Sequence, residues 1–273
     1  MNEHIKRWGD AAKVYLEFRV FLILLLGFSS GLPLLLVYGT LSAWLQDEGV
    51  SLTVIGWFSA ASSAYALKFL WAPLVDRCPI PGFTTLLGQR RGWLLFSQLI
   101  VMGAILALGS TSPGLDLFTT AMWAVALAFA SATQDIVVDA YRIEILDSER
   151  MGAGASNYVV GYRIATFVSG AGALIIADQA GWFWAYATMA GFVVIGIFAT
   201  LIGPRTQTDL DKATTVAKAA GSTFSTLLYD AVWMPFAEFM SRTNWLAVLL
   251  FVALYKYGDA LLGVMANPFY LDI

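Results

Sequence analysis

The chain has 273 residues, of which 59% are hydrophobic, while 16 basic and 19 acidic residues together make up only 13%. Soluble globular chains carry roughly 25% charged residues, so a water-soluble fold is excluded for most of this length. A net charge of -3 leaves no basic surplus to neutralise phosphates and excludes nucleic acid as a partner. One cysteine, Cys78, and one histidine, His4, exclude a disulfide framework, a thiolate metal cluster and most histidine-based catalysis. The composition predicts an integral membrane protein, and with one histidine in the tail and a lone cysteine it offers no nucleophile–base pair or metal set, so neither an enzyme nor a bound metal or cofactor is expected.

A helix needs about 20 mainly apolar residues to cross the hydrocarbon core. Val20 to Trp44 is the first such run and holds no ionisable group. It exceeds the roughly 7–15 residues of a signal-peptide core and is expected to stay in the membrane. The second run extends from Leu52 to Val75 with Lys68 inside it, the third from Gly92 to Gly109, and the fourth from Leu117 to Tyr141 with Asp135 and Asp139 near its end. Gly152 to Ala177, with Arg163 embedded, is the fifth; Gly181 to Gly203 is the sixth. After a polar segment, Thr243 to Met265 forms the seventh and contains Lys256 and Asp259.

If the amino terminus is cytoplasmic, the inner segments hold thirteen bases and the outer ones none, although acids (Asp47, Glu48, Asp116, Asp178, Asp272) do occur outside. The positive-inside rule therefore predicts a cytoplasmic amino terminus. Residues 1–19 form a cytoplasmic tail, 20–203 an amino-terminal six-helix bundle, 204–242 a cytoplasmic linker, and 243–273 the first helix of a second half. Within the linker, Phe224, Leu228, Val232, Phe236 and Phe239 recur at helical spacing, which predicts an amphipathic helix on the inner membrane surface, bent at Pro235. The chain stops at Ile273 just past the seventh run, so it reads as a truncated chain.

Three bases (Lys68, Arg163, Lys256) and three acids (Asp135, Asp139, Asp259) fall inside spans. Each unpaired charge costs roughly 2.5–3.5 kcal/mol near the bilayer centre, so six would cost on the order of 15–20 kcal/mol, beyond the 5–15 kcal/mol by which proteins are usually stable. They must pair or face water. Two readings stay open: three structural ion pairs, or an aqueous cavity in which some bind substrate or carry protons.

Asp135, Asp139 and Arg142 lie at i, i+4 and i+7, one stripe on a helix. Carboxylates about a turn apart repel in a low dielectric, which makes the pair a candidate proton site. The alternative pairs Asp139 with Arg142 and Asp135 with Lys68 or Arg163. Lys256 and Asp259 either neutralise each other or meet a polar ligand, and Tyr162-Arg163 after Asn157 is polar enough to line a pathway. Tyr38, Tyr65 and Trp71 would suit stacking on sugar rings, whereas Trp44, Trp93 and Trp182 fit an interfacial belt. Gly27-Phe28-Ser29-Ser30-Gly31 matches G-x-S-x-G but has no histidine to serve as base. The same glycines form G-x-x-x-G, a close-packing face between helices. A Walker loop is absent, which argues against direct ATP coupling in this chain.

Four stretches together carry a family resemblance: Gly27-Phe28-Ser29-Ser30-Gly31-Leu32-Pro33, the run from Lys68 through Trp71, Pro73 and Asp76 to Arg77, the Gln134-Asp135 to Arg142 cluster, and Tyr255-Lys256-Tyr257-Gly258-Asp259-Ala260. In these the chain resembles the major facilitator superfamily and, within it, the AmpG-type muropeptide permeases. The resemblance implies an all-α helical bundle of about seven spans out of twelve or more, a bacterial inner-membrane location, and proton-driven import of GlcNAc-1,6-anhydro-MurNAc muropeptides for peptidoglycan recycling. It implies Asp135 and Asp139 as proton carriers, and Lys68, Gln134, Arg163, Lys256, Asp259, Tyr38 and Tyr65 as substrate contacts. It also implies a gating loop carrying Asp76, Arg77, Arg90 and Arg91, with proline at position 73 where that family usually has glycine. The expected partners are the bilayer, a small glycopeptide and protons, with the protein a monomer. A related transporter of another solute such as acetyl-CoA, a membrane-embedded enzyme and a non-transporting sensor are the rival readings.

Overall fold

The first apolar run folds as two helices, α1 (Phe18–Val37) and α2 (Gly39–Asp47), because the backbone breaks at Tyr38 with φ −105° and ψ −97°. In this computed structural model the described residues are 13–58, 63–206, 229, 233–251 and 254. The second run is helical in pieces: α3 (Leu52–Phe58), α4 (Ser63–Leu67), a 3₁₀ turn at Lys68–Leu70 and α5 (Ala72–Arg77). A short α6 (Phe83–Leu87) follows, ending at Gly88, whose φ of 93° lets the chain turn into α7 (Gln89–Gly109). Next come α8 (Leu117–Ile145) and α9 (Met151–Phe167). A π-helical turn at Val168–Gly172 joins α9 to α10 (Ala173–Ala180), and Gly181, with φ 92°, separates α10 from α11 (Trp182–Ile202).

The described residues contain five helical stretches long and apolar enough to span a bilayer, namely Phe18–Asp47, Gln89–Gly109, Leu117–Ile145, Met151–Ala180 and Trp182–Ile202. All five match expected spans. The second run is not among them, because it is broken into short helices, and residues 252, 253 and 255–265 of the seventh lie outside the described set. Lys256 and Asp259 therefore lie outside the described residues as well.

The chain divides into two units, Met1–Ser222 and Thr223–Ile273. In the first, α1 packs along α9, with α7 against both α8 and α11. The G-x-x-x-G expectation holds at the first of these contacts. A Cβ on Gly31 would lie 2.6 Å from the Tyr162 carbonyl oxygen, one on Gly27 would collide with the Tyr158 carbonyl, and one on Gly161 with that of Leu24. Backbones that approach so closely gain dispersion energy where lipid offers no hydrophobic drive.

Two apolar clusters make up the core of this unit. One, near the end bearing the acidic loops, gathers Leu32, Leu36, Trp44, Ile105, Leu127 and Tyr186. The other, near the end bearing the basic loops, gathers Val20, Leu26, Leu94, Val137 and Tyr141. Between them along each helix lies a buried polar layer: Ser29 and Ser30 on α1, Ser97 and Gln98 on α7, Ser131, Gln134 and Asp135 on α8.

Side chains tie down both ends. At the basic end Arg19 donates to the Ile145 carbonyl, Arg91 to those of Thr200 and Leu201, and Arg205 to that of Leu86. Asn157, expected to line a pathway, is instead a buried anchor that donates to the carbonyls of Tyr15 and Val20 at the start of α1. At the acidic end Trp44 is buried and stacks on Trp182 with ring centres 5.6 Å apart, so it serves packing rather than an interfacial belt. Trp182 in turn donates to Asp47.

In the second unit α12 (Met234–Ser241) carries Pro235 in its first turn, where proline removes no helical hydrogen bond. Trp233 before it is also helical, and residues 230–232, where a bend at Pro235 would have to be judged, lie outside the described residues. Residues 245–251 are again helical, after Asn244 at φ 73°. The remaining apolar positions of the expected amphipathic helix, Phe224, Leu228 and Val232, lie outside the described residues.

Candidate substrate and proton site

The charge cluster is built on α8, whose last three turns hold Asp135, Asp139 and Arg142 on one stripe, as their spacing predicts. Asp139 sits between two cations. Lys68 Nζ is 3.6 Å from it across the helix gap and Arg142 is 3.5 Å away along α8. The Arg142 guanidinium also lies over the Tyr158 ring at 5.3 Å. Lys68 thus pairs with Asp139, and the alternative in which it pairs with Asp135 is not what the geometry gives. Arg163, next to Tyr162 on α9, is exposed and acts electrostatically on that tyrosine, with no ion pair to an acid among the described residues.

Asp135 is only 7% exposed, and its Oδ1 is buried without a hydrogen-bond partner. Lys68 and Asp139 act on it electrostatically, and Ser30 is the hydroxyl beside it. Tyr65 from the second span and Tyr158 and Tyr162 from α9 surround the same carboxyl. Tyr65 faces Ser131, yet neither hydroxyl completes a hydrogen bond of normal geometry. Next in sequence, Gln134 is fully buried and donates to Ser29 at 3.1 Å and to Ser30 at 3.4 Å. Tyr38, at the α1–α2 break, is half-buried and packs, like Tyr65, against the apolar cluster at the acidic end.

Sequence reasoning therefore found Lys68, Gln134, Asp135, Asp139, Tyr38 and Tyr65, and the fold brings these together. It passed over Ser29, Ser30, Ser131 and Tyr158, and left Tyr162 as a side remark. A signal was present for the tyrosines, since Tyr158 and Tyr162 stand one helical turn apart with rings 6.0 Å between centres. Trp71, a candidate for sugar stacking, is already stacked on Phe129 at 4.5 Å and donates to Thr133.

The loop between the second and third spans forms a separate ionic group at the basic end. Arg90, on the first turn of α7, bridges Asp76 at the end of α5 and Glu144 at the end of α8. Gln89 holds the loop from behind by donating to the carbonyls of Val75 and Cys78 at 2.9 Å each. Arg91 caps the carboxyl end of α11 and complements its dipole. Glu144, the third member of the Arg90 group, was not anticipated, because it lies just past the apolar stretch of the fourth span.

Apolar helices of spanning length, a buried polar layer and a carboxylate cluster inside it define an all-α polytopic membrane protein of the transporter type. Residues 19–203 match the family model described as acetyl-coenzyme A transporter 1, and the chain belongs to that family. It is also similar to the anhydromuropeptide permease of Escherichia coli K12, at 41% identity over 258 residues, 94% of this chain and 49% of the relative. A putative transporter AmpG 4 of Rickettsia felis matches at 35% identity over 96% of the chain and 62% of the relative. The muropeptide-permease resemblance read from the motifs is thus present along nearly the whole chain. The chain spans about half to three-fifths of the length of these relatives.

Proposed function

We propose that this chain is the amino-terminal part of a proton-coupled importer of anhydromuropeptides. Residues 20–203 would be the first six-helix half, 204–242 the cytoplasmic linker and 243–273 the start of the second half. It would sit in the bacterial inner membrane with its amino terminus inside, delivering GlcNAc-1,6-anhydro-MurNAc peptides to the cytoplasm for peptidoglycan recycling. One observation carries the proton role: a carboxyl, Asp135, buried in the middle of an apolar bundle with an oxygen left unpartnered, next to an acid already held by two cations. A group so placed gains or loses a proton at smaller cost than a group locked in an ion pair. Asp135 is then the carrier, and Asp139 the fixed counter-charge that holds Lys68 and Arg142.

Gln134, Tyr65, Tyr158 and Tyr162 supply the amide, hydroxyl and ring surfaces that a sugar with an attached peptide requires. The Asp76–Arg90–Glu144 group would close the cytoplasmic side. Acetyl-CoA is the second reading, favoured by the name of the family model. It is less well supported because Lys68 and Arg142, the cations at the cluster, are both committed to Asp139. A polyanionic nucleotide calls for bases with open valences.

Uptake of labelled anhydromuropeptide by vesicles carrying the whole gene product tests this reading. Accumulation should require an inward proton gradient and collapse with a protonophore. Asp135→Asn should bring it to the protonophore level, while competition by excess acetyl-CoA should have no effect. Uptake that ignores the protonophore would remove the coupling, and a fully active Asp135→Asn would clear that residue.

A further inference from the structure

From the Gln134–Asp135 site the polar layer continues to α7 and α11, neither of which contributes a residue to the cluster of Lys68, Asp135, Asp139 and Arg142. Gln98 on α7 is fully buried, and its Oε1 accepts from Thr200 on α11 at 3.0 Å. The fully buried Thr200 hydroxyl shares its one hydrogen between Gln98 Oε1 and the Gly196 carbonyl, the latter at 2.9 Å. At Gly196 the helices close in. A Cβ there would strike Ser29, and would lie 3.0 Å from Gln98 Nε2, so Ser29 and Gln98 both border the space that this missing side chain leaves. Ser29 is the same serine that receives the hydrogen bond from Gln134.

The two glutamines are complementary. Gln134 uses its Nε2 on the serines and keeps a buried Oε1 without partner; Gln98 uses its Oε1 on Thr200 and keeps a buried Nε2 without partner. Interhelical hydrogen bonds that serve only as adhesive are expected to be satisfied, because an unmet polar group in an apolar interior costs free energy. Here an unmet donor and an unmet acceptor flank Ser29. Turning either amide over exchanges its donor for its acceptor, so this seam of groups admits a second hydrogen-bonding arrangement.

We propose that Gln98 and Thr200 are positioning residues for the Gln134–Asp135 site, acting through Ser29. This rests on the proton-carrying reading of Asp135. The groups facing Asp135 are Lys68 and Tyr65 from the second span, Tyr158 and Tyr162 from α9, Ser30 from α1 and Asp139 on its own helix. Neither Gln98 nor Thr200 is one of them, so an effect of either on the proton site travels through the seam.

The test compares Thr200→Val, which keeps the shape and removes the donor, with Thr200→Ser, which keeps the donor. Both are made in the whole gene product, quantified in the membrane, and assayed for uptake against pH. Thr200→Val should move the midpoint of the pH profile per inserted molecule by on the order of half a pH unit, the size expected from one interhelical hydrogen bond. Thr200→Ser should superimpose on the wild type. If Thr200→Val lowers only the amount of protein and leaves the profile in place, the seam is adhesive and the proposal is overturned. Should Thr200→Val fail to insert, Gln98→Met fills a similar volume and is read the same way. Wild-type uptake without pH dependence would refute the coupling itself, a result distinguishable from failure of the seam alone.

Discussion

At the scale of single residues, the α1–α9 contact depends on side chains that are single hydrogen atoms. Gly27, Gly31 and Gly161 have no room for a methyl group, because the carbonyl oxygens of the facing helix occupy it. Gly161→Ala is expected to push α1 and α9 apart and cost about 1–3 kcal/mol, typical of overpacking. A lower thermal midpoint of the detergent-solubilised protein would register it. By contrast, Gly103→Ala, where nothing lies within 4 Å of the added carbon, should be neutral or slightly stabilising. The residues of the charge cluster were legible because a charge inside an oil-length helix demands an explanation whatever surrounds it. The serines were not, since Ser29 and Ser131 look in sequence like any small residue in a membrane helix. Their role depends on which way α1 and α8 are turned, and for α1 that is fixed by the glycine contacts with α9 and not by the serines themselves.

Helix ends and breaks are where elements departed from expectation. Spans three and six began and ended near their glycines, and Gly88, Gly181 and Gly203 explain why. The break at Tyr38 lies five residues after Pro33, and the π turn at Val168–Gly172 sits where the Ser169 carbonyl accepts from Thr40 at 2.7 Å. Neither break could be read from hydropathy, which stays high through both.

Two tests belong to this scale. Asp116 caps α8, its carboxylate accepting from the Thr119 hydroxyl at 2.6 Å and the Thr119 amide at 3.0 Å. Those hydrogen bonds hold the carboxyl below its ordinary value of 3.8. A depressed folded value means that the stabilisation is present above 3.8 and lost as pH falls through the lower folded value. The difference in thermal midpoint between wild type and Asp116→Ala should therefore shrink on acidification below that window. At the other end of α8, Arg90→Ala strands Glu144 in a mostly buried setting and should cost about 2–4 kcal/mol. Adding Glu144→Gln should recover part of the loss, a coupling that a double-mutant cycle measures.

For the molecule as a whole, the uneven distribution of bases between loops makes a topological prediction. A cysteine introduced by Ser112→Cys, in the connection between α7 and α8, should react with a membrane-impermeant maleimide in spheroplasts, against a Cys78→Ser background. One introduced by Asp147→Cys, between α8 and α9, should react only after permeabilisation. Labelling in the reverse order would invert the proposed orientation. Architecture at this scale was the most legible level, because five of the expected spans need only length and apolarity to be seen. The broken second span was the exception. Its Lys68, Trp71 and Pro73 make contacts or geometries that a straight helix would not supply.

The pairing pattern around Asp139 has a thermodynamic corollary. Lys68, Arg142, Asp135 and Asp139 sum to zero when both acids are ionised, so in that state these four groups have no net pull on a negatively charged solute. Loading one hydrogen ion on Asp135 leaves a surplus of +1. By linkage, an anionic cargo and that hydrogen ion must then raise each other's affinity by an identical factor, whichever of them docks first. On the proposed reading, stoichiometric co-movement would follow from local electroneutrality alone, and raising the ionic strength should loosen it.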